Sequence, residues 1–168
     1  TYAKVTLGAS IADLVGNDTK IDRQNRIING NVLTGAPVKT TGWLSAFANM
    51  ITVIPEGKDT NEVLGWIAPR FNHFSVSRTF FSFLTPNRTY DIDARIKGGE
   101  RHMIASGEYD KVFPMDIYPE YLIKAIITGD VDKMEAMGIY EVAPEDFALC
   151  EFVDSSKLEL QRIVREGL

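Results

Sequence analysis

An α+β fold is predicted, with strands first and helices after, from three observations. Apolar residues recur at every second position through much of the chain up to about residue 113. Turn-forming residues separate short apolar runs in that part, and from residue 116 onward the spacing becomes helical.

The first part opens on a short helix signal: Ser10 is placed to cap a helix whose apolar residues Ile11, Leu14 and Val15 share a face, with Asp13 as a capping-box partner. Gly16 and Asn17 are expected to end it. Arg26-Ile27-Ile28 and Val32-Leu33 read as strands around the turn Asn29-Gly30-Asn31, and Ile51-Thr52-Val53-Ile54 reads as a strand closed by Pro55-Glu56-Gly57. Together these predict a small sheet packed on one helix. Between residues 62 and 113, Phe74-Ser75-Val76-Ser77 alternates, and Tyr90, Ile92, Ala94 and Ile96 fall on one face, so further strands are expected.

The helical part begins at Pro119, which suits a first turn; Leu122, Ala125 and Ile126 give it an apolar face and Gly129 a C-cap. Asp130 caps the next helix, which ends near Gly138. Another opens at Pro144 with Glu145 and Asp146 in its first turn, and the last is expected to start near Ser155 with Leu158, Ile163 and Val164 inward. No internal repeat and no Pro/Ser-rich linker is present, so the junction near residue 115 is expected to be packed.

Composition narrows the function. With 168 residues the chain makes one domain or two small ones. Lys plus Arg is 18 against 23 Asp plus Glu, and no basic stripe is present to neutralise a row of phosphates, which argues against nucleic acid as a partner. No apolar run approaches about 18 residues, so membrane association is expected to be peripheral. The chain starts Thr1-Tyr2-Ala3-Lys4-Val5 without Met or leader and reads as a fragment of something longer. Cys150, the only cysteine, excludes an internal disulfide and suits the cytoplasm.

Sequence signatures of catalysis are missing. His73 and His102 stand apart from any nucleophile elbow, and two His with one Cys lack zinc-ligand spacing. Neither Gly-x-Gly-x-x-Gly nor the P-loop pattern occurs, so no metal and no NADH site is expected. Lys97-Gly98-Gly99-Glu100-Arg101-His102 reads as a hairpin turn with charged tips, or as an anion-binding nest. The aromatics Trp66, Phe71, Phe74, Phe80, Phe81 and Phe83, and Trp43 with Phe47, read as core, or as surfaces for a quinone ring or a partner. In a regular strand Phe80 and Phe81 point to opposite faces.

These residues resemble a known family over nearly the whole chain. Arg26-Ile27-Ile28-Asn29-Gly30-Asn31-Val32-Leu33-Thr34-Gly35, Gly42-Trp43-Leu44 and Val53-Ile54-Pro55-Glu56-Gly57 look like the soluble-ligand-binding β-grasp domain of the A subunit of the sodium-pumping NADH:quinone oxidoreductase. Gly65-Trp66, Phe74-Ser75-Val76-Ser77-Arg78-Thr79, Gly99-Glu100-Arg101, Gly107-Glu108-Tyr109, Pro114-Met115-Asp116-Ile117, Gly129-Asp130 and Glu145-Asp146-Phe147-Ala148-Leu149-Cys150 continue the likeness in order. Thr34-Gly35-Ala36-Pro37 resembles a flavin-attachment sequence but ends in Pro where the acceptor Thr would stand.

The resemblance implies a β-grasp domain over residues 1–57, an additional β-rich segment over 58–115 packed on it, and a helical C-terminal domain over 116–168. It implies a peripheral protein on the cytoplasmic face of the bacterial inner membrane, in a complex that passes electrons from NADH to quinone and exports sodium. Flavins and iron–sulfur centres are then expected in other subunits. In related proteins the helical region holds a cluster through several cysteines, whereas here Cys150 is alone and Asp154 stands where some relatives have a second. The expected role is non-catalytic docking and scaffolding, with partners in the membrane subunits and in the N-terminal domain of the same polypeptide. The alternative is a cleft for quinone or another soluble ligand, with Trp43, Phe47, Arg101 and His102 as its candidate contacts.

Overall fold

A computed structural model describes residues 2–16, 25–57, 73–74, 81–96 and 101–168. The chain divides into two compact units, Thr1–Val63 with Ala68–Arg95, and Leu64–Ile67 with Ile96–Leu168.

In the first unit, helix α1 (Ile11–Val15) packs on an antiparallel sheet of β1 (Asn25–Asn29), β2 (Ala36–Val38) and β3 (Ile51–Pro55), in the order β2-β1-β3. This α+β arrangement is β-grasp-like. The register explains the core: Ile27 pairs with Val38 on one side and Val53 on the other, so one row of β-branched side chains crosses all three strands. That row meets Ile11 and Val15 of α1, with Leu14, Leu44 and Ile51 around it. Ile28 faces the opposite side of the central strand and is buried too. Gly35 lies over it, where an added Cβ would collide with Asn31 O and sit 2.5 Å from Ile28 Cγ2.

Several expectations for this unit are corrected. Val32-Leu33 is a turn, because the Asn31 side chain accepts from the backbone N–H groups of Leu33 and Thr34, both at 2.8 Å, and holds the chain away from the ladder. The returning strand therefore starts at Ala36. Ser10 begins α1 without capping it through its side chain. It forms an antiparallel bridge with Trp43 instead, with Ile11 N donating to Gly42 O at 3.0 Å and Leu44 N to Ala9 O at 2.9 Å.

Tyr90, Ile92, Ala94 and Ile96 alternate, yet no strand forms there. Asp93 accepts from the Arg95 backbone and pairs with the Arg95 guanidinium at 2.6 Å, a local arrangement that competes with a ladder. Ala94 N to Pro55 O, at 2.9 Å, ties this stretch to the end of β3. Phe81–Leu84 is a 3-10 turn rather than a strand, with Ser82 buried and Phe74 set edge-on to Tyr90 at 5.9 Å. Among the described residues of 58–115 no strand occurs. Trp66, Phe71, Phe80 and the segment Ser75 to Thr79 lie outside the described residues.

The second unit is helical: α2 (Pro119–Thr128), α3 (Val131–Ala136), α4 (Ala148–Val153) and α5 (Leu160–Gly167), joined by 3-10 turns. Its boundaries follow local chemistry. Pro119 occupies the first turn of α2, and Gly129, at φ 68°, closes it with Gly129 N bonded to Ile126 O and Asp130 N to Ala125 O, both at 3.0 Å. The Asp130 carboxylate then caps α3 by accepting from Lys133 N at 3.2 Å. Pro144–Phe147 forms a 3-10 turn running into α4, with Asp146 reaching back to the Ala143 N–H at 2.8 Å.

The last helix starts at Leu160, later than Ser155. Asp154 explains the delay, because its carboxylate accepts from Ser156 N at 3.0 Å and Leu158 N at 2.8 Å, drawing the chain into a loop in which Lys157 adopts φ 62°. Glu151 then supplies an acceptor for Gln161 N at 3.0 Å. Leu122, Ile123, Phe147, Leu160 and Val164 are fully buried and form the core with Tyr109 and Cys150.

Candidate functional site

The Asn29-Gly30 turn organises the end of the first sheet. Asn29 Nδ2 donates to Trp43 O at 3.0 Å, Gly30 N donates to Met50 O at 2.9 Å, and Thr52 Oγ1 donates to Gly30 O at 2.7 Å. With the Ser10 bridge, these contacts fix the backbone on both sides of residues 43–50. The side chains are not tucked in. Trp43 is 66% exposed, Phe47 fully exposed and Met50 50% exposed, while Val32 in the neighbouring turn is also open to solvent. Large apolar side chains on a pinned backbone suit recognition, because little ordering is left to do on binding.

Trp43 and Phe47, both ligand candidates from the sequence, thus lie at one end of the first unit. Arg101 and His102, the other two candidates, belong to the second unit, where both are exposed. Their segment is held by Ser156, whose carbonyl accepts from Arg101 N at 2.8 Å and whose hydroxyl accepts from Ile104 N at 3.3 Å. Glu120 continues the anchorage by accepting from Ser106 N at 3.1 Å and Gly107 N at 2.6 Å. The glycines of Lys97 to Glu100 lie outside the described residues. Met50 was missed by sequence reasoning, since residues just before an apolar strand give no signal of facing outward.

The helical unit buries two titratable side chains, Tyr109 and Cys150, completely. The Cys150 thiol is fully buried beside the Tyr109 carbonyl, and burial, followed by the negative charge of Asp110, pushes its pKa up to about 12. A protonated, enclosed thiol is a poor nucleophile and a poor ligand. Burial, reinforced by Asp154, also holds the Tyr109 hydroxyl well above the usual phenol range. Among the described residues no cluster of three or more His, Cys, Asp or Glu is placed to hold a metal ion.

The sign of the Cys150 shift yields a prediction. Its value rises from 9.0 to about 12, so folding favours the protonated thiol; that contribution is complete below about pH 9 and is lost as pH climbs towards 12. Alkaline titration is expected to lower stability in that window, and a thiol reagent at pH 8 is expected to label Cys150 at least about a hundredfold more slowly in the folded chain than in denaturant. Equal labelling rates would contradict the burial of this residue.

Fold and surface together define a β-grasp-like α+β unit followed by a helical unit, with large apolar side chains exposed on the first. Residues 1–40 match the family described as NQRA C-terminal domain. Curated relatives, each named as the A subunit of Na(+)-translocating NADH-quinone reductase, match nearly the whole chain. The one from Rhodopirellula baltica is 41% identical over 96% of this chain and 36% of its own length. Those from Serratia proteamaculans and Neisseria meningitidis serogroup C are 37% and 36% identical over 98% of this chain, and 36% and 37% of theirs. The chain belongs to the family of these A subunits and corresponds to their C-terminal part. It spans little more than a third of the length of the curated relatives it matches. Among the described residues no helix is long and apolar enough to cross a membrane.

Proposed function

We propose that the chain is a docking and scaffolding module of the peripheral A subunit in a bacterial sodium-translocating NADH:quinone reductase, on the cytoplasmic face of the inner membrane. It has no catalytic role of its own. The observation that carries this reading is the exposed Trp43, Phe47 and Met50 end of the first sheet, whose backbone is fixed by the Asn29-Gly30 turn. Aromatic anchors of this kind are where binding energy concentrates at protein interfaces. The partners in this reading are the membrane subunits and the remainder of the A subunit. Electron transfer, sodium export, flavins and iron–sulfur centres belong to the assembled complex outside this chain.

The competing reading is a site for quinone or another soluble ligand, with the Trp43 indole and Phe47 as its candidate contacts on the first unit, or Arg101 and His102 as its candidate contacts on the second. Titration calorimetry with a short-chain quinone separates the two. Docking predicts no saturable heat. Saturable binding that is lost in Trp43→Ala or Arg101→Ala would replace docking with ligand binding.

A further inference from the structure

The helical unit carries a second surface, of mixed polar and apolar lining, that the proposed function does not use. Between the C-terminal end of α2, helix α3 and helix α5 runs a groove of about 610 Å³ with Met134, Ile139 and Ile163 among its lining. Ile127, Val131 and Tyr140 line it too, and each is more than half exposed. Leaving three large apolar side chains in water is unfavourable by their transfer free energy unless something covers them.

The charges around the groove indicate what would cover it. Glu135 and Glu166 stand on its wall, and the one cation among its described lining residues, Arg162, is already held by Glu159 at 2.6 Å and Glu166 at 2.8 Å. Glu135 accepts from the Tyr140 hydroxyl at 3.0 Å, with no cation paired to it among the described residues. The surrounding unit repeats this imbalance. Residues 101–168 contain fourteen Asp and Glu against seven Lys and Arg, whereas residues 1–100 contain nine against eleven. An anionic lipid surface is repelled by such a rim; a protein segment with apolar side chains flanked by Lys or Arg is attracted to it.

We infer that this groove docks a basic, apolar-bearing cytoplasmic segment of a membrane-embedded partner protein. The inference rests on the proposed function, which sets the chain against membrane subunits, and on the general excess of Lys and Arg in cytoplasmic loops of membrane proteins. Ile127, Val131 and Tyr140 supply the contact area, and Glu135 with Glu166 sets register and partner choice.

The test uses the full-length protein and two sets of membranes, one carrying the remaining subunits of the complex and one lacking them. Wild type is compared with Val131→Arg and with the double variant Glu135→Lys/Glu166→Lys, each first shown by thermal melting to be folded. Wild-type retention on the subunit-bearing membranes, weakened at least tenfold in both variants and by raised salt, is the expected result. Equal retention of the charge-reversed variant, or equal wild-type retention on membranes lacking the subunits, would overturn the groove as the docking site while leaving peripheral association intact. Failure of the wild type to bind either membrane removes the proposed function, and this inference with it.

Discussion

Replacing Trp43 with Ala is expected to weaken the full-length protein's association with its complex by about thirtyfold, while leaving its melting temperature within about 2 °C of wild type. Both halves of this expectation follow from the geometry. The indole is 66% exposed, so truncating it opens no cavity, and the groups that fix this loop are backbone atoms that an Ala retains. Loss of a central aromatic anchor at an interface commonly costs about 2 kcal/mol or more, which corresponds to roughly thirtyfold in affinity. Phe47→Ala is expected to act in the same direction. Trp43→Phe should restore part of the loss, since an aromatic ring remains; an association that is unchanged by Trp43→Ala would take this surface out of the interface.

Phe147→Ala carries the largest expected effect on stability. Phe147 is fully buried at the end of the 3-10 turn that feeds α4, with its ring 4.8 Å from that of Phe113. Removing it deletes apolar contacts and leaves a cavity, together about 3 to 5 kcal/mol. For a unit of this size that is much of the total stability, and a fall in melting temperature of more than about 12 °C is expected. Calorimetry of the purified chain checks it. A fall of under about 3 °C would show that the helical core is not organised around this side chain.

These two residues also mark what the sequence discloses and what it hides. The helical unit was legible because its boundaries are set by residues that act on their own backbone: Pro119, Gly129, Asp130 and Pro144 each sit where their local chemistry places them. Where a side chain captures nearby amides, the same local reading misses. Asn31 turned an expected strand into a turn, and Asp154 delayed the last helix from Ser155 to Leu160. Alternation at Tyr90 to Ile96 satisfied the strand pattern, but a strand also needs a neighbour to pair with, and only tertiary structure supplies one.

Site residues were harder to read for a related reason. The Trp43 type was visible as a candidate anchor, yet its outward direction depends on the bridge to Ser10 and the bond from Asn29, contacts between segments far apart in sequence. The groove on the helical unit is assembled from α2, α3 and α5 and has no sequence signature at all. Cys150 was legible as a lone cysteine, but its inertness comes from complete burial in a core that sequence spacing does not reveal.

The most direct test of docking is a saturation binding curve of the full-length protein on membranes that carry the other subunits of the complex but lack their own copy of it. Docking predicts saturable retention that falls by about thirtyfold in affinity when Trp43 is replaced by Ala. Retention that does not saturate, or that is the same for wild type and Trp43→Ala, would contradict it.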